Sequence, residues 1–175
     1  VASFVGSGRM APSDPPRPTA RILMVDDTPT NLQVLGATLR EEGYRLAAAR
    51  SGAEALSLVP AFRPDLILLD VSMPGIDGFE TCRRLRSDPQ LADIPVIFLT
   101  GRVQPDDVIR GFDAGGVDYV TKPFSAPELL ARVRTHLELR RARSDLANLA
   151  DKLGRYLPQQ VYTALFRGER DARIA

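Results

Sequence analysis

Five short runs of β-favouring, mostly apolar residues recur along the chain with helix-length intervals between them, and this alternation limits the fold more than any other feature. The runs are RILMV (21–25), RLAAA (45–49), DLILLD (65–70), PVIFLT (95–100) and VDYVT (117–121). Strands alternating with helices imply βαβ crossovers and a parallel sheet. The intervals carry helix signals of their own. Leu32, Leu35 and Leu39 fall at helical spacing, Pro29 suits a first turn, and Gly43 is placed to end that helix. Ser51 reads as an N-cap with Glu54 in the capping-box position, residues 78–86 stop at Asp88-Pro89, and residues 105–114 end at Gly115-Gly116.

The first, third and fourth runs are nearly continuous in apolar character, as expected of strands covered by helices on both faces. The expected architecture is α/β: a flavodoxin-like, doubly wound, five-stranded parallel sheet of order 2-1-3-4-5, with a long C-terminal helical extension. In that order the first and third strands are neighbours at a switch point, and ligands bind beyond their carboxyl ends.

At 175 residues there is room for one buried domain plus an appendage. A formal charge of +1 offers no electrostatic case for direct nucleic acid or membrane binding, so partners have to be argued from sites. The single cysteine, Cys82, excludes an intrachain disulfide and reads as a small packing residue, which makes the cytoplasm the default location. No apolar stretch approaches the roughly 20 residues that span a bilayer. Residues 1–20, rich in Pro, Ser, Gly and Ala, read as a disordered leader.

Polar side chains gather where the strands end. Asp26 and Asp27 follow the first run, Asp70 closes the third, Thr100 closes the fourth, and Lys122 follows the fifth. A single Asp in such a place is most simply a helix N-cap. Three carboxylates converging on one crevice are different, because their repulsion has to be relieved by a proton or a cation. Oxygen-only ligands select a hard ion, Mg²⁺ (or Mn²⁺), which leaves room for phosphate. In that setting Asp70 can serve as a carboxylate nucleophile, with Lys122 and the Thr100 hydroxyl holding phosphoryl oxygens.

The segments MVDDTPTN, LLDVSMPGIDG, IFLTG and DYVTKPF, in this order, resemble the receiver domain of two-component response regulators over residues 21–137. The resemblance implies that Asp70 is the phospho-acceptor, supplied by a histidine kinase or phosphotransfer protein. Asp27 and Asp70 would ligate Mg²⁺ directly with the backbone carbonyl of Ser72, and Asp26 largely through water. Thr100 and Tyr119 would form a switch pair, and Lys122 would pair with the phosphate, aimed by a cis bond to Pro123. Ser72 and Arg102 occupy positions that tune phosphoryl lifetime in such domains. On the residues alone, Tyr119 also reads as an ordinary amphipathic residue of an edge strand; its place three residues before Lys122 favours the switch. Met73-Pro74-Gly75 would shape the turn after Asp70, and His136 reads as a solvated helix residue. Ser72 stands where an aspartyl-phosphate phosphatase would need a second Asp, so an independent enzyme is disfavoured.

The helical pattern continues past the receiver. Leu139, Ala142, Leu146, Leu149, Leu153 and Tyr156 are spaced 3, 4, 3, 4 and 3, the a/d repeat of a coiled coil. They are out of phase with the receiver-facing Leu130, Val133 and Leu137. One helix therefore carries two stripes, the second suited to a parallel homodimer over residues 138–154. Its length of about two to three heptads leaves a solvated helix as the alternative. After Gly154, RYLPQQVYTALFRGE resembles the transducer element that precedes class III adenylate or guanylate cyclase domains, so residues 155–175 read as a transducer-like segment. The plainer reading is an amphipathic helix in which Val161, Leu165 and Phe166 pack on the dimer. The implied protein is a receiver relaying through a dimeric helix to a cyclase that lies outside this chain, which itself is no enzyme. The alternatives are a diguanylate cyclase, phosphodiesterase or DNA-binding output, or a constitutive dimerising scaffold.

Overall fold

The structure, a computed structural model, describes residues 19–101 and 105–156. Most of the leader, Arg102 and residues 157–175 of the transducer-like segment lie outside the described residues. The elements alternate throughout: β1 (Arg21–Val25), α1 (Pro29–Glu41), β2 (Arg45–Ala49), α2 (Gly52–Phe62), β3 (Leu66–Asp70), α3 (Gly78–Ser87), β4 (Val96–Thr100), α4 (Pro105–Asp113), β5 (Asp118–Thr121) and α5 (Ala126–Tyr156). The strands form one parallel sheet of order β2-β1-β3-β4-β5. This is the expected doubly wound sheet.

Strand alternation divides the core in two. Leu23, Val25, Ile67, Leu69, Val96 and Phe98 face one side and pack against Ala55 and Val59 of α2 and Phe79, Cys82 and Leu85 of α3. Ile22, Met24, Leu66, Leu68, Ile97, Leu99 and Val120 face the other, against Leu35 and Leu39 of α1 and Leu129 and Val133 of α5. Every residue of β3 and β4 is buried, which explains why their sequences show no polar alternation. On α5 the most deeply seated residues are Leu129 and Val133; Leu130 and Leu137, expected to face the receiver, only flank them. The buried face of α5 is centred on Leu129 and Val133, one residue earlier than a 3/4 count from Leu130 would start it.

Helix starts follow local chemistry. Ser51 Oγ accepts the Glu54 amide at 3.1 Å, while Glu54 Oε2 reaches back to the Arg50 amide at 2.7 Å, one residue earlier than a capping box would have it. Asp77 caps α3 by accepting the Glu80 amide at 2.7 Å. The expected helix ends at Gly43 and Gly115 are realised, with φ of 80° and 96°.

The 31-residue α5 is about 46 Å long at 1.5 Å per residue. Its first half is pinned by ion pairs from Arg132 to Asp118, from Arg134 to Glu42 and from Arg140 to Asp65, with Arg140 also donating to the Pro64 carbonyl at 3.0 Å. Beyond that clamp Leu146, Leu149 and Leu153 stand 67%, 53% and 40% exposed, as does Leu139 beside it at 49%.

The turn leaving β3 closes tightly at Gly78, whose amide donates to the Val71 carbonyl at 3.0 Å. A Cβ at this position would lie 2.3 Å from the Asp70 carbonyl oxygen, where neither backbone can yield cheaply. Gly78→Ala is expected to destabilise the fold by about 1–3 kcal/mol, read as a lower urea midpoint at unchanged slope.

Candidate functional site

Parallel strands of similar length end together, and here the ends are polar. Asp70 is the last residue of β3 and Thr100 the last of β4, while Asp26 and Asp27 follow β1 and Lys122 follows β5. Asp26, Asp70 and Thr100 are buried at 0%, 3% and 7% exposure; Asp27 is half-buried. One carboxylate oxygen from each of Asp26, Asp27 and Asp70 lies within 4.8 Å of the others. Residues distant in sequence thus form one acidic pocket at the switch point between β1 and β3.

Lys122 holds this pocket together. Its Nζ lies 2.7 Å from Asp26 Oδ2 and 2.9 Å from Asp70 Oδ1. Burial alone would lower the ammonium, but its hydrogen bonds to Asp26 and Asp70 outweigh that and hold it above its ordinary value. Burial also pushes the Asp70 carboxyl above the usual carboxylate range, a rise that the Lys122 hydrogen bond only partly offsets. The Lys122–Pro123 bond is cis, as the resemblance implied.

The three carboxylates are not equivalent. Asp26 accepts from the Thr28 amide at 2.9 Å, from Asn31 Nδ2 at 3.1 and 3.0 Å, and from Lys122. Asp70 Oδ1 accepts the Ser72 amide at 3.3 Å. Asp27 is the open member, touched by the Thr28 hydroxyl at 3.5 Å. An oxygen-only set in which one carboxylate carries more donors than the other two suits a hard dication that keeps part of its water. Asp26, Asp27 and Asp70 each offer such an ion an oxygen, with Ser72 beside Asp70 in the turn.

Tyr119 stands apart from the acids, on the α3/α4 face. Its ring packs 5.4 Å from Phe98 and 5.7 Å from Phe112, and its hydroxyl donates to the Asp107 carbonyl at 2.8 Å, with that of Val108 at 3.1 Å. Gly111 makes this seat, since a Cβ there would overlap the phenol oxygen. Cys82 is fully buried and burial pushes its thiol up, consistent with a packing role.

One expectation is corrected. His136 is not solvated: its Nε2 lies 2.9 Å from Asp118 Oδ2, and the side chain is 15% exposed. Arg132 Nη1 meets the other oxygen of Asp118 at 2.6 Å. Arg132 and His136 sit four apart on one face of α5, a spacing visible in the sequence, but the partner lies across the β5–α5 crossing. Asn31 likewise went unassigned, for its target is a side chain five residues away that only the β1–α1 turn brings into reach.

The fold and its carboxyl-edge cluster are those of a receiver-type α/β domain. The sequence profile described as "Response regulator receiver domain" matches residues 22–134. The "Probable cyclic di-GMP phosphodiesterase" of Vibrio cholerae serotype O1 is 45% identical over 132 residues, 75% of this chain and 30% of that protein. The "DNA-binding dual master transcriptional regulator RpaA" of Synechocystis sp. is 46% identical over 117 residues, 67% of this chain and 48% of that protein. The solved signal receiver domain of a signal transduction histidine kinase from Syntrophus aciditrophicus superposes with a TM-score of 0.64 at 41% identity, over 69% of this chain and 91% of that one. The chain belongs to the response regulator receiver domain family of two-component signalling. Such domains bind Mg²⁺ at an acidic pocket and interact with histidine kinases or phosphotransfer proteins. The chain spans less than half the length of the two curated relatives. Among the described residues no helix is long and apolar enough to cross a membrane.

The Asp118 cluster makes a pH prediction. Burial alone would raise its carboxyl, but hydrogen bonds from Arg132 and His136 outweigh this and hold it below its ordinary value. A depressed folded-state value means that the stabilisation is complete above the unfolded value of about 3.9 and is lost as pH falls through the folded one. Asp118→Asn is expected to cost about 1–3 kcal/mol near neutral pH, with the gap to the parent closing below about pH 4 in urea titrations.

Proposed function

We propose that Asp70 accepts a phosphoryl group from a histidine kinase or phosphotransfer protein, and that the resulting switch is relayed through α5 to an output domain. The observation that supports this most is the pairing of a buried, solvent-edge Asp70 with Asp26, Asp27 and a lysine that bridges two of the three acids. An oxygen of Asp70 attacks phosphorus, and the bond to the donor's imidazole nitrogen breaks with its electron pair staying on nitrogen. Asp27, Asp70 and the Ser72 carbonyl would hold Mg²⁺ (or Mn²⁺), with Asp26 reaching it through water. The ion, when bound, offsets charge on the transferring oxygens. Lys122 then leaves its carboxylates for a phosphoryl oxygen, the Thr100 hydroxyl takes another, and Tyr119 follows as the switch partner. A hundredfold shift between the two states requires about 2.7 kcal/mol of preference. Asp70→Asn should abolish the one-phosphoryl mass gain that acetyl phosphate and Mg²⁺ produce in the parent; a stable acyl phosphate on another residue in that variant would overturn the assignment.

The relay is a parallel homodimer through Leu139, Ala142, Leu146, Leu149, Leu153 and Tyr156. What supports it is the row of exposed leucines on α5 beside and beyond the Arg140 ion pair. The ion pairs of Arg132 and Arg140 tie the first half of α5 to the receiver body. Leu146→Lys with Leu149→Lys should convert a dimer to a monomer in light scattering and leave the receiver's thermal midpoint unchanged. The output we favour is a class III nucleotide cyclase, on the likeness of RYLPQQVYTALFRGE to a cyclase transducer. Relatives of this receiver are named for phosphodiesterase and DNA-binding functions, which belong to those longer proteins. Cyclic nucleotide formation by the full-length gene product tests the choice.

A further inference from the structure

Asp26 differs from its two neighbours in how many donors reach its oxygens. Oδ1 accepts from the Thr28 amide and from Asn31 Nδ2, and Oδ2 accepts from Asn31 Nδ2 and from Lys122 Nζ. The two Asn31 contacts run from one nitrogen to both oxygens and act as one shared bond, so three donors occupy the carboxylate and leave about one of its roughly four lone-pair sites for a water. The Asn31 nitrogen has to face inward because an ionised carboxylate only accepts. Of the side-chain donors, Lys122 is shared with Asp70 and is the group that a phosphoryl oxygen would draw away. Asn31 is the donor that stays.

Its place in the chain explains the reach. Asn31 is the third residue of α1, and its side chain points back from the first turn toward the end of β1. Thr28, the N-cap, makes no side-chain cap bond, so the Asp26 carboxylate takes the Thr28 amide and Asn31 braces the carboxylate in turn. Charge matters as well. An acid at 31 would add a fourth negative group to the pocket, and a base would set a second cation against the ion.

We infer that Asn31 is a positioning residue of the metal site: it fixes the Asp26 carboxylate so that Asp26 meets the cation through water, leaves Asp27 and Asp70 as the direct ligands, and keeps Asp26 in place once Lys122 turns to the phosphoryl group. This rests on the reading of the acidic pocket as a Mg²⁺ site. Groups that orient metal-site carboxylates typically carry a ten- to hundredfold effect on affinity or activity.

Calorimetric Mg²⁺ titration of the unphosphorylated chain separates the two ideas. Asn31→Ala is expected to raise the Mg²⁺ dissociation constant by about tenfold or more and to slow phosphorylation by acetyl phosphate comparably, while Thr30→Ala, an exposed neighbour on the same turn, stays within about twofold of the parent. A parent that binds Mg²⁺ and an Asn31→Ala variant within twofold of it would overturn the inference alone, as would an equal loss in Thr30→Ala, which marks general loosening of α1. A parent that binds no Mg²⁺ overturns both readings. Should Asn31→Ala not fold, the side-chain amide protons of Asn31 in the parent provide the readout by nuclear magnetic resonance. Slow exchange and a shift on adding Mg²⁺ support the role, whereas a free-amide spectrum that ignores Mg²⁺ overturns it.

Discussion

Three carboxylates with an oxygen each within 4.8 Å of the others at the edge of an apolar sheet repel, and Lys122 is what the protein supplies against that repulsion. Asp26 and Asp70 are both buried, so neither can shed its charge cost into solvent. Removing one member of a buried charged set typically costs about 3–5 kcal/mol, because the remaining charges are left uncompensated. The arrangement is therefore stable only as a whole. It also stays responsive, since Lys122 divides itself between two acids and any stronger anion at the pocket mouth competes for it.

The rest of the fold brings these groups to the same point. A parallel sheet covered on both faces lets five strands end at one edge, and each loop at that edge contributes a side chain. Tyr119 sits away from that edge, in a seat that Gly111 opens under α4. Helix α5 then crosses β5, where Asp118 takes both Arg132 and His136, and leaves the domain at the Arg140 clamp.

Much of this was legible in the sequence because it is written in local patterns. Continuous apolar runs ending in acids announced buried central strands, and helix caps at Ser51, Gly43 and Gly115 are chemistry of a few neighbouring residues. Asp26, Asp27, Asp70, Thr100 and Lys122 could be named because strand ends in a parallel sheet share an edge. Leu129, His136, which the pattern places in solvent, and Asn31 carry no such local signal. The first depends on how α5 is rotated on the sheet, the second on a partner across the β5–α5 crossing, and the third on a sharp turn that folds a helix back onto its own strand.

The sequence by itself determined the order of elements, the polarity of the sheet's carboxyl edge and the second stripe on the last helix, since periodicity and strand-end chemistry need no long-range information. Only the tertiary structure decided which acid carries the most donors and which is open, what His136 touches, and where α5 is clamped. Those outcomes depend on distances between residues far apart in the chain, from Lys122 to Asp26 and from Arg140 to Asp65, and such distances exist only once the sheet has closed and the helices have packed.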